Sequence, residues 1–467
     1  MRIALPKGRL LGETAELLWR AGWGLSGYKA TERLYRPKSR TFPNLVAKVF
    51  QEKDIPVQVA IGNYDLGICG LDWVEELLAR YPSSALVKAR NLGCGAGQLY
   101  IAASRAQGVA TAEALRSESG VVRIASEYPN LAESFALNLR LRRFSVFPLW
   151  GAAEVYPPES ADLVLVAGKN EAELTGYGLV PISNILGFSA FLIANRRSWE
   201  TKDLSELLDS IQRETVVRQV SSVDMVPKMV GKYPPAEVAE DTVSLALPDG
   251  HQQEPTVALL NRAGIQVDDY PSESGNRRPT SNLAGVAIKV IRPHDMPLQV
   301  ANGNFDLAIT GRDWLLEHLY QFPSSPVAEL LDLKFGWVRI VAVVSKELAV
   351  DGVDSLRQFS AERSLSLRVA SEYVNIADKY ARDNHLGMYR VIPTWGASEA
   401  FLPEDADLLI ENTQTGRTLA RHGLKIIDTL LESTACLIGQ TGTISSSKRE
   451  KINSIIETLG RAVEDVN

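Results

Sequence analysis

The feature that most constrains this chain is that it is written twice. Asp54-Ile55-Pro56 returns as Asp295-Met296-Pro297, a shift of 241 positions. The same shift carries Gly62-Asn63-Tyr64-Asp65-Leu66-Gly67-Ile68-Cys69-Gly70-Leu71-Asp72-Trp73 onto Gly303-Asn304-Phe305-Asp306-Leu307-Ala308-Ile309-Thr310-Gly311-Arg312-Asp313-Trp314, and Tyr81-Pro82-Ser83-Ser84 onto Phe322-Pro323-Ser324-Ser325. Further on, Ala125-Ser126-Glu127-Tyr128 matches Ala370-Ser371-Glu372-Tyr373, and Trp150-Gly151-Ala152 matches Trp395-Gly396-Ala397, now at a shift of 245. A period this long means two whole modules, not a solenoid of short repeats. We expect modules at 1–222 and 242–467, joined over 223–241, where Pro227, Pro234 and Pro235 punctuate a stretch without periodicity.

Inside each module, short apolar runs alternate with helical patterns, which predicts an α/β fold with parallel sheets. In the first copy, strands are expected at 2–5, 57–60, 66–69, 99–103, 121–125, 163–166 and 190–194. A helix over 14–21 has Ala15, Leu17, Leu18 and Ala21 for its buried face. The strand near Ala190 follows a self-contained βαβ stretch, so two sheets per module are expected, with a cleft between two lobes. Ligands of open α/β sheets bind at the carboxyl ends of strands.

Composition narrows the function. The net charge of −6 excludes a general electrostatic grip on nucleic acid, so an anionic ligand must meet a local basic site. The 3 cysteines, Cys69, Cys94 and Cys436, have no CxxC spacing, and the 5 histidines no HxxxH or HExxH spacing. No protein metal centre is expected. With no signal-peptide core at the start and no apolar run of membrane length, the expectation is a cytoplasmic protein without a membrane partner.

The stretch richest in chemistry is Ala406-Asp407-Leu408-Leu409-Ile410-Glu411-Asn412-Thr413-Gln414-Thr415-Gly416-Arg417-Thr418-Leu419, followed by Ala420-Arg421-His422-Gly423-Leu424. It is an apolar strand ending in a hydroxyl-rich turn before a helix. Such a turn offers backbone N–H groups and Thr hydroxyls to a phosphate, with Arg417 as a charged donor and Glu411 suited to ribose hydroxyls. A turn that merely caps its helix has the same composition, so the pattern alone leaves both readings open.

The stretch resembles the phosphoribosyl-diphosphate loop of the ATP phosphoribosyltransferase family, with Glu411 where the family has Asp and His422 where it has Asn. The resemblance extends to Arg2-Ile3-Ala4-Leu5-Pro6-Lys7-Gly8-Arg9-Leu10 and to Ile291-Arg292-Pro293-His294-Asp295-Met296-Pro297, and it covers nearly the whole chain twice. It implies a tandem fusion of the family's short form, each copy a two-lobed module like a periplasmic binding protein. It also implies the joining of ATP N1 to phosphoribosyl diphosphate with release of pyrophosphate, the first step of histidine biosynthesis. By resemblance, phosphoribosyl diphosphate falls to Glu411, Thr413, Thr415, Gly416, Arg417, Thr418 and Leu419. Arg292 falls to the pyrophosphate, and ATP to Lys7, Arg9, Arg33 and Arg40. Arg36 is taken as the catalytic cation reaching across from the first copy, among the candidates Arg33, Arg36 and Arg40. Mg2+ is expected with the substrate phosphates. The family also implies a homo-oligomer and admits a separate regulatory subunit.

The copies differ in complementary ways. Where the second has Thr413 to Thr418, the first has Gly168-Lys169-Asn170-Glu171-Ala172-Glu173, whose carboxylates repel a phosphate. Lys7-Gly8-Arg9 becomes Asp249-Gly250-His251, and Arg292 answers to Gln51. These divided motifs keep two alternatives in play: a nucleotide-sensing pseudoenzyme, and phosphoribosyl transfer to another acceptor.

Overall fold

The computed structural model describes residues 1–29, 34–107, 115–116, 119–214, 241–273, 275–362, 365–441 and 446–464. The expected joint at 223–241 lies, except for Asp241, outside them. The chain divides into two compact units. One comprises Met1–Pro148, Ala161–Pro235 and Thr394–Ala400; the other comprises Leu149–Ser160, Ala236–Pro393 and Phe401–Asn467. A short stretch of each repeat therefore belongs to the unit built mainly from the other.

The first unit has two sheets. In the first lobe the strand order is Leu25–Ser26, Lys38–Ser39, Val46–Phe50, Arg2–Pro6, Leu66–Gly70, Ala190–Asn195, Leu86–Asn91. The second lobe runs Leu179–Phe188, Gly97–Ser104, Leu163–Gly168, Val122–Ser126, Phe144–Pro148. The chain passes from the first sheet to the second between Asn91 and Gly97 and returns between Phe188 and Ala190. The two lobes and the returning strand near Ala190 are thus as expected. The sheets are mixed, not all parallel. Arg2–Pro6 pairs in parallel with Val46–Phe50, Ile3 opposite Ala47. The strands flanking the crossings, Gly97–Ser104 and Ala190–Asn195, are antiparallel to their neighbours because direct chain connections, not helices, deliver them.

One expected strand is a helix. Val57–Ala60 falls within the helix Asp54–Ala60. Pro56 stands in the first turn, where its missing N–H costs nothing, and Ile55 and Val59, four residues apart, are both fully buried. Over four residues, the alternation Val57-Gln58-Val59 fits either period. The strand Val46–Phe50 was not anticipated because Lys48 interrupts its apolar run, yet that lysine is buried. The expected helix at 14–21 begins earlier and spans Leu11–Arg20, burying Thr14, Leu17 and Leu18.

The second unit repeats the plan. Its first sheet is ordered Val286–Ile291, Val243–Pro248, Leu307–Gly311, Ala435–Gln440, Val327–Asp332; its second, Tyr389–Pro393, Leu367–Ser371, Leu408–Thr413, Val338–Ser345, Leu424–Ser433. The helix Ser446–Glu464 packs Ile452, Ile455 and Leu459 into the core of the first lobe with Leu245, Val290 and Leu437. In each unit a helix that follows a first-lobe strand ties the lobes together. Glu317 of Arg312–Gln321 accepts the Asn375 and Ile376 N–H groups at 2.8 and 2.9 Å, satisfying the start of the second-lobe helix Val374–Asp383. Glu76 does the same for Asn130 and Leu131, both at 2.9 Å.

Candidate active site

The strand Leu408–Thr413 is fully buried over its first three residues, and at its carboxyl end Glu411, Asn412 and Thr413 are half-exposed. The turn is closed by its own hydroxyls: the Gly416 N–H donates to Thr413 Oγ1 at 2.9 Å and the Arg417 N–H to Thr415 Oγ1 at 3.4 Å. A hydroxyl that accepts from the backbone keeps its own proton to donate, and phosphate oxygens are acceptors. Gly416 has φ 70°, a left-handed conformation that favours glycine, and the helix Arg417–Arg421 follows. Thr415, Arg417 and Thr418 are exposed, while Leu419 is buried and anchors the helix. Glu411 Oε1 accepts the Asn412 N–H at 2.9 Å.

The corresponding turn of the first repeat fills itself. Glu173 Oε2 accepts the Lys169 N–H at 2.7 Å, and Asn170 Oδ1 accepts the Glu173 N–H at 3.1 Å. A carboxylate of the chain occupies the donor that a bound anion would use.

Behind the second repeat's loop stands a buried polar hub. Asn412 Nδ2 donates to Tyr373 Oη at 2.8 Å, Tyr373 donates to Asp313 at 2.6 Å, and Ser433 donates to the other Asp313 oxygen at 2.7 Å. Burial, and then the charge of Asp313, push the Tyr373 phenol well above its usual range, so it stays protonated. Its ring stacks on Trp314 at 4.2 Å, Trp314 meets His294 edge-on at 4.5 Å, and His294 packs against Trp150 at 3.8 Å.

Arg292 follows the strand Val286–Ile291, and its side chain is 45% exposed. Its Nη1 lies 3.0 Å from Asp249, which also receives Arg277 at 2.9 Å. The loss of a lysine at 249 thus comes with two arginines that share the new carboxylate. The stretch Leu149–Ser160 is fastened to this region. The Trp150 N–H reaches both Asp295 oxygens at 3.1 Å, and Arg278 holds Glu159 and the Val155 carbonyl, each at 2.9 Å.

In the first unit, Lys7 lines a cleft of about 260 Å³ with Tyr28, Lys29, Leu34 and Tyr35, its ammonium 5.5 Å from the Tyr35 ring centre. Arg9 is engaged elsewhere, by Asp72 at 2.6 Å and Glu52 at 3.0 Å, with Tyr128 donating to Asp72 at 2.7 Å. Burial opposes the Arg9 charge, but Asp72 and then Glu52 outweigh it and raise its pKa. Arg36 donates to the Ala400 carbonyl at 3.4 Å, much as Arg278 holds Val155. Arg40 is exposed, and Arg33 lies outside the described residues. Lys7, Arg9, Arg36 and Arg40 thus belong to the first unit, and Arg292 and the 411–419 loop to the second.

A family model, HisG: ATP phosphoribosyltransferase, matches residues 51–213 and again 292–461. The chain belongs to the ATP phosphoribosyltransferase family. Among its relatives, the ATP phosphoribosyltransferase of Saccharolobus solfataricus is 34% identical over 233 residues, spanning 47% of this chain and 72% of that protein. That of Chlorobium phaeobacteroides is 31% identical over 230 residues, 48% of this chain and 72% of that protein. A solved ATP phosphoribosyl transferase (HisG:HisZ) complex from Thermotoga maritima aligns at 20% identity and a TM-score of 0.39, covering 46% of this chain and 98% of that one.

Within the ATP phosphoribosyltransferase framework, the Tyr373–Asp313–Asn412 hub and the Trp150–His294–Trp314 stack were not foreseen. The sequence did carry a signal, because Trp150, Asp313 and Tyr373 all lie in the stretches that the two repeats share. Their partners are remote in sequence, and only folding brings them together.

Proposed function

We propose that the chain is an ATP phosphoribosyltransferase whose chemistry runs in the second repeat, forming the N1–C1′ bond between ATP and phosphoribosyl diphosphate in the first step of histidine biosynthesis. The reading is supported above all by the contrast between the two turns: Thr413 and Thr415 keep protons to donate, whereas Glu173 fills its own turn. The 5′-phosphate sits on Thr413, Thr415, Gly416, Arg417 and Thr418, above the Leu419 anchor, and Glu411 accepts from the ribose hydroxyls. The adenine N1 lone pair attacks C1′. The C1′–O bond breaks with its electron pair going to pyrophosphate, and the positive charge gained at N1 spreads over the adenine amidine. No covalent nucleophile is required, and Arg292 stabilises charge on the departing pyrophosphate.

Mg2+ accompanies the phosphates and supplies charge neutralisation, held by substrate oxygens and water. Among the described residues no group of three His, Cys, Asp or Glu side chains converges to offer another cage. The proposal extends to a first module at 1–222 that retains ATP contacts at Lys7, Arg9, Arg33 and Arg40. It also includes a cross-repeat cation at Arg36, a homo-oligomer, a regulatory partner and a cytoplasmic setting. No described helix is long and apolar enough to cross a membrane.

Calorimetry with phosphoribosyl diphosphate tests the assignment. One site per chain is expected, abolished by Thr415→Glu and untouched by Asn170→Glu. Two equal sites would overturn it, and binding without turnover of ATP would favour the pseudoenzyme.

A further inference from the structure

Arg292 is fastened to the molecule at more than its ion pair. Its guanidinium meets Asp249 through Nη1, while its Nε edge faces the backbone of Gly151: a Cβ placed on Gly151 would lie 3.0 Å from Nε and 3.6 Å from Nη2. Carbon that close to a guanidinium nitrogen is tighter than ordinary van der Waals contact, so any side chain at 151 displaces the arginine. Gly151 is in turn fixed by its neighbour. The Trp150 N–H is held by both oxygens of Asp295, its indole packs on His294, and the Asp295 N–H donates to the Arg292 carbonyl at 3.0 Å. Asp295 therefore ties together the turn that carries Arg292 and the loop that walls it.

We propose that Trp150 and Gly151, residues of the first repeat, are a positioning element for Arg292, setting where its guanidinium stands relative to the departing pyrophosphate. This rests on the phosphoribosyl-transfer reading above. It also gives the first repeat a duty in the second repeat's site that needs no cation from Arg33, Arg36 or Arg40. The element acts through Arg292 and touches no substrate, so its signature is coupling: what Gly151 contributes must vanish when Arg292 is gone. Because Arg292 is a half-exposed, flexible side chain, it yields to a methyl group without loss of the fold. The expected cost is therefore one of alignment.

The test is a double-mutant cycle on the full-length chain, with pyrophosphate release as the assay. Gly151→Ala is expected to lower kcat by about three- to tenfold, because the arginine must give by a few tenths of an ångström where a full 1 Å costs about a hundredfold, while the KM for phosphoribosyl diphosphate stays within about twofold. In an Arg292→Ala background it should add less than about twofold. Trp150→Ala should behave as Gly151→Ala does, and Trp150→Phe, which keeps a ring against His294 and the backbone donor, should restore turnover. A wild-type kcat in Gly151→Ala, or losses that multiply in the double variant, would overturn the proposal. If Gly151→Ala does not fold, the Trp150→Ala and Arg292→Ala cycle decides in its place. If the unaltered protein turns over no ATP, the functional reading fails on its own. The same cycle is then read by calorimetry with pyrophosphate, where additive losses of affinity would sink the positioning role.

Discussion

Glu159 offers a quantitative test of how the stretch 149–160 is held. Its carboxylate receives Arg278 Nη1 at 2.9 Å and Nη2 at 3.0 Å, and the buried Lys289 ammonium at 2.6 Å. Burial pushes the carboxyl up, but the hydrogen bonds and charges of Arg278 and Lys289 outweigh it and bring the pKa from 4.5 down to about 2. A depressed carboxylate contributes stability that is fully present above its unfolded pKa and is lost as pH falls from there through the folded value. At about 1.36 kcal/mol per pH unit, the contribution at neutral pH is about 3 kcal/mol. Solvent at the 29%-exposed side chain trims this toward about 2 kcal/mol. Glu159→Gln mimics the protonated form and should lower the thermal midpoint at pH 7 by roughly 5–10 °C. At pH 3.5 the gap between variant and parent should shrink by about two-fifths, because the parent itself is losing the same interaction. Glu159→Ala should cost more, about 3–5 kcal/mol, since it strips the buried Lys289 of this carboxylate. Melting curves at both pH values, with hydrogen exchange over 149–160, provide the measurement. A Glu159→Gln variant as stable as the parent at pH 7, or a gap that does not narrow in acid, would refute the reasoning.

Arg292→Ala is expected to lower kcat by roughly a hundred- to a thousandfold with a smaller effect on substrate KM, because a leaving-group contact strengthens as charge develops; unchanged kcat with weaker binding would make Arg292 a ground-state contact only. Arg9→Ala should destabilise the protein at neutral pH, since it leaves Glu52 and Asp72 buried without their cation, and it should regain stability as pH is lowered. The sign follows from Glu52, whose pKa is raised by burial against the opposing pull of Arg9: a raised carboxyl contributes stability at low pH that is lost as pH climbs through its folded value. A melting temperature that falls further in mild acid would contradict it. Replacing Arg33, Arg36 and Arg40 singly by alanine should abolish turnover at one position if a cation crosses between the repeats; three silent replacements would mean that none does, with the Trp150–Gly151 loop as the first repeat's contribution.

The sequence by itself determined the duplication, the two lobes of each copy and the motif that names the family, because each is written in the identity and order of residues along the chain and needs no distance through space to be read. Leu408 to Ile410 read as a buried strand from local chemistry alone, whereas Thr413 to Gly416 read equally as a phosphate loop or a helix cap until the family resemblance is added. It also exposed the difference between the two turns, since Glu171 and Glu173 are visible without coordinates. Where local patterns were ambiguous, tertiary packing decided. Val57–Ala60 is helical because Ile55 and Val59 must bury one face, and Val46–Phe50 is a strand despite Lys48. Tertiary structure alone decided which charges are already satisfied. Arg9 and Arg292 look alike in sequence, yet Arg9 is held by Glu52 and Asp72, 43 and 63 residues away, while Arg292 shares one carboxylate with Arg277 and stays half-exposed. Tertiary structure alone also set Gly151 against Arg292. Neither fact is written locally, because burial and ion pairing depend on distances through space that chain position does not fix.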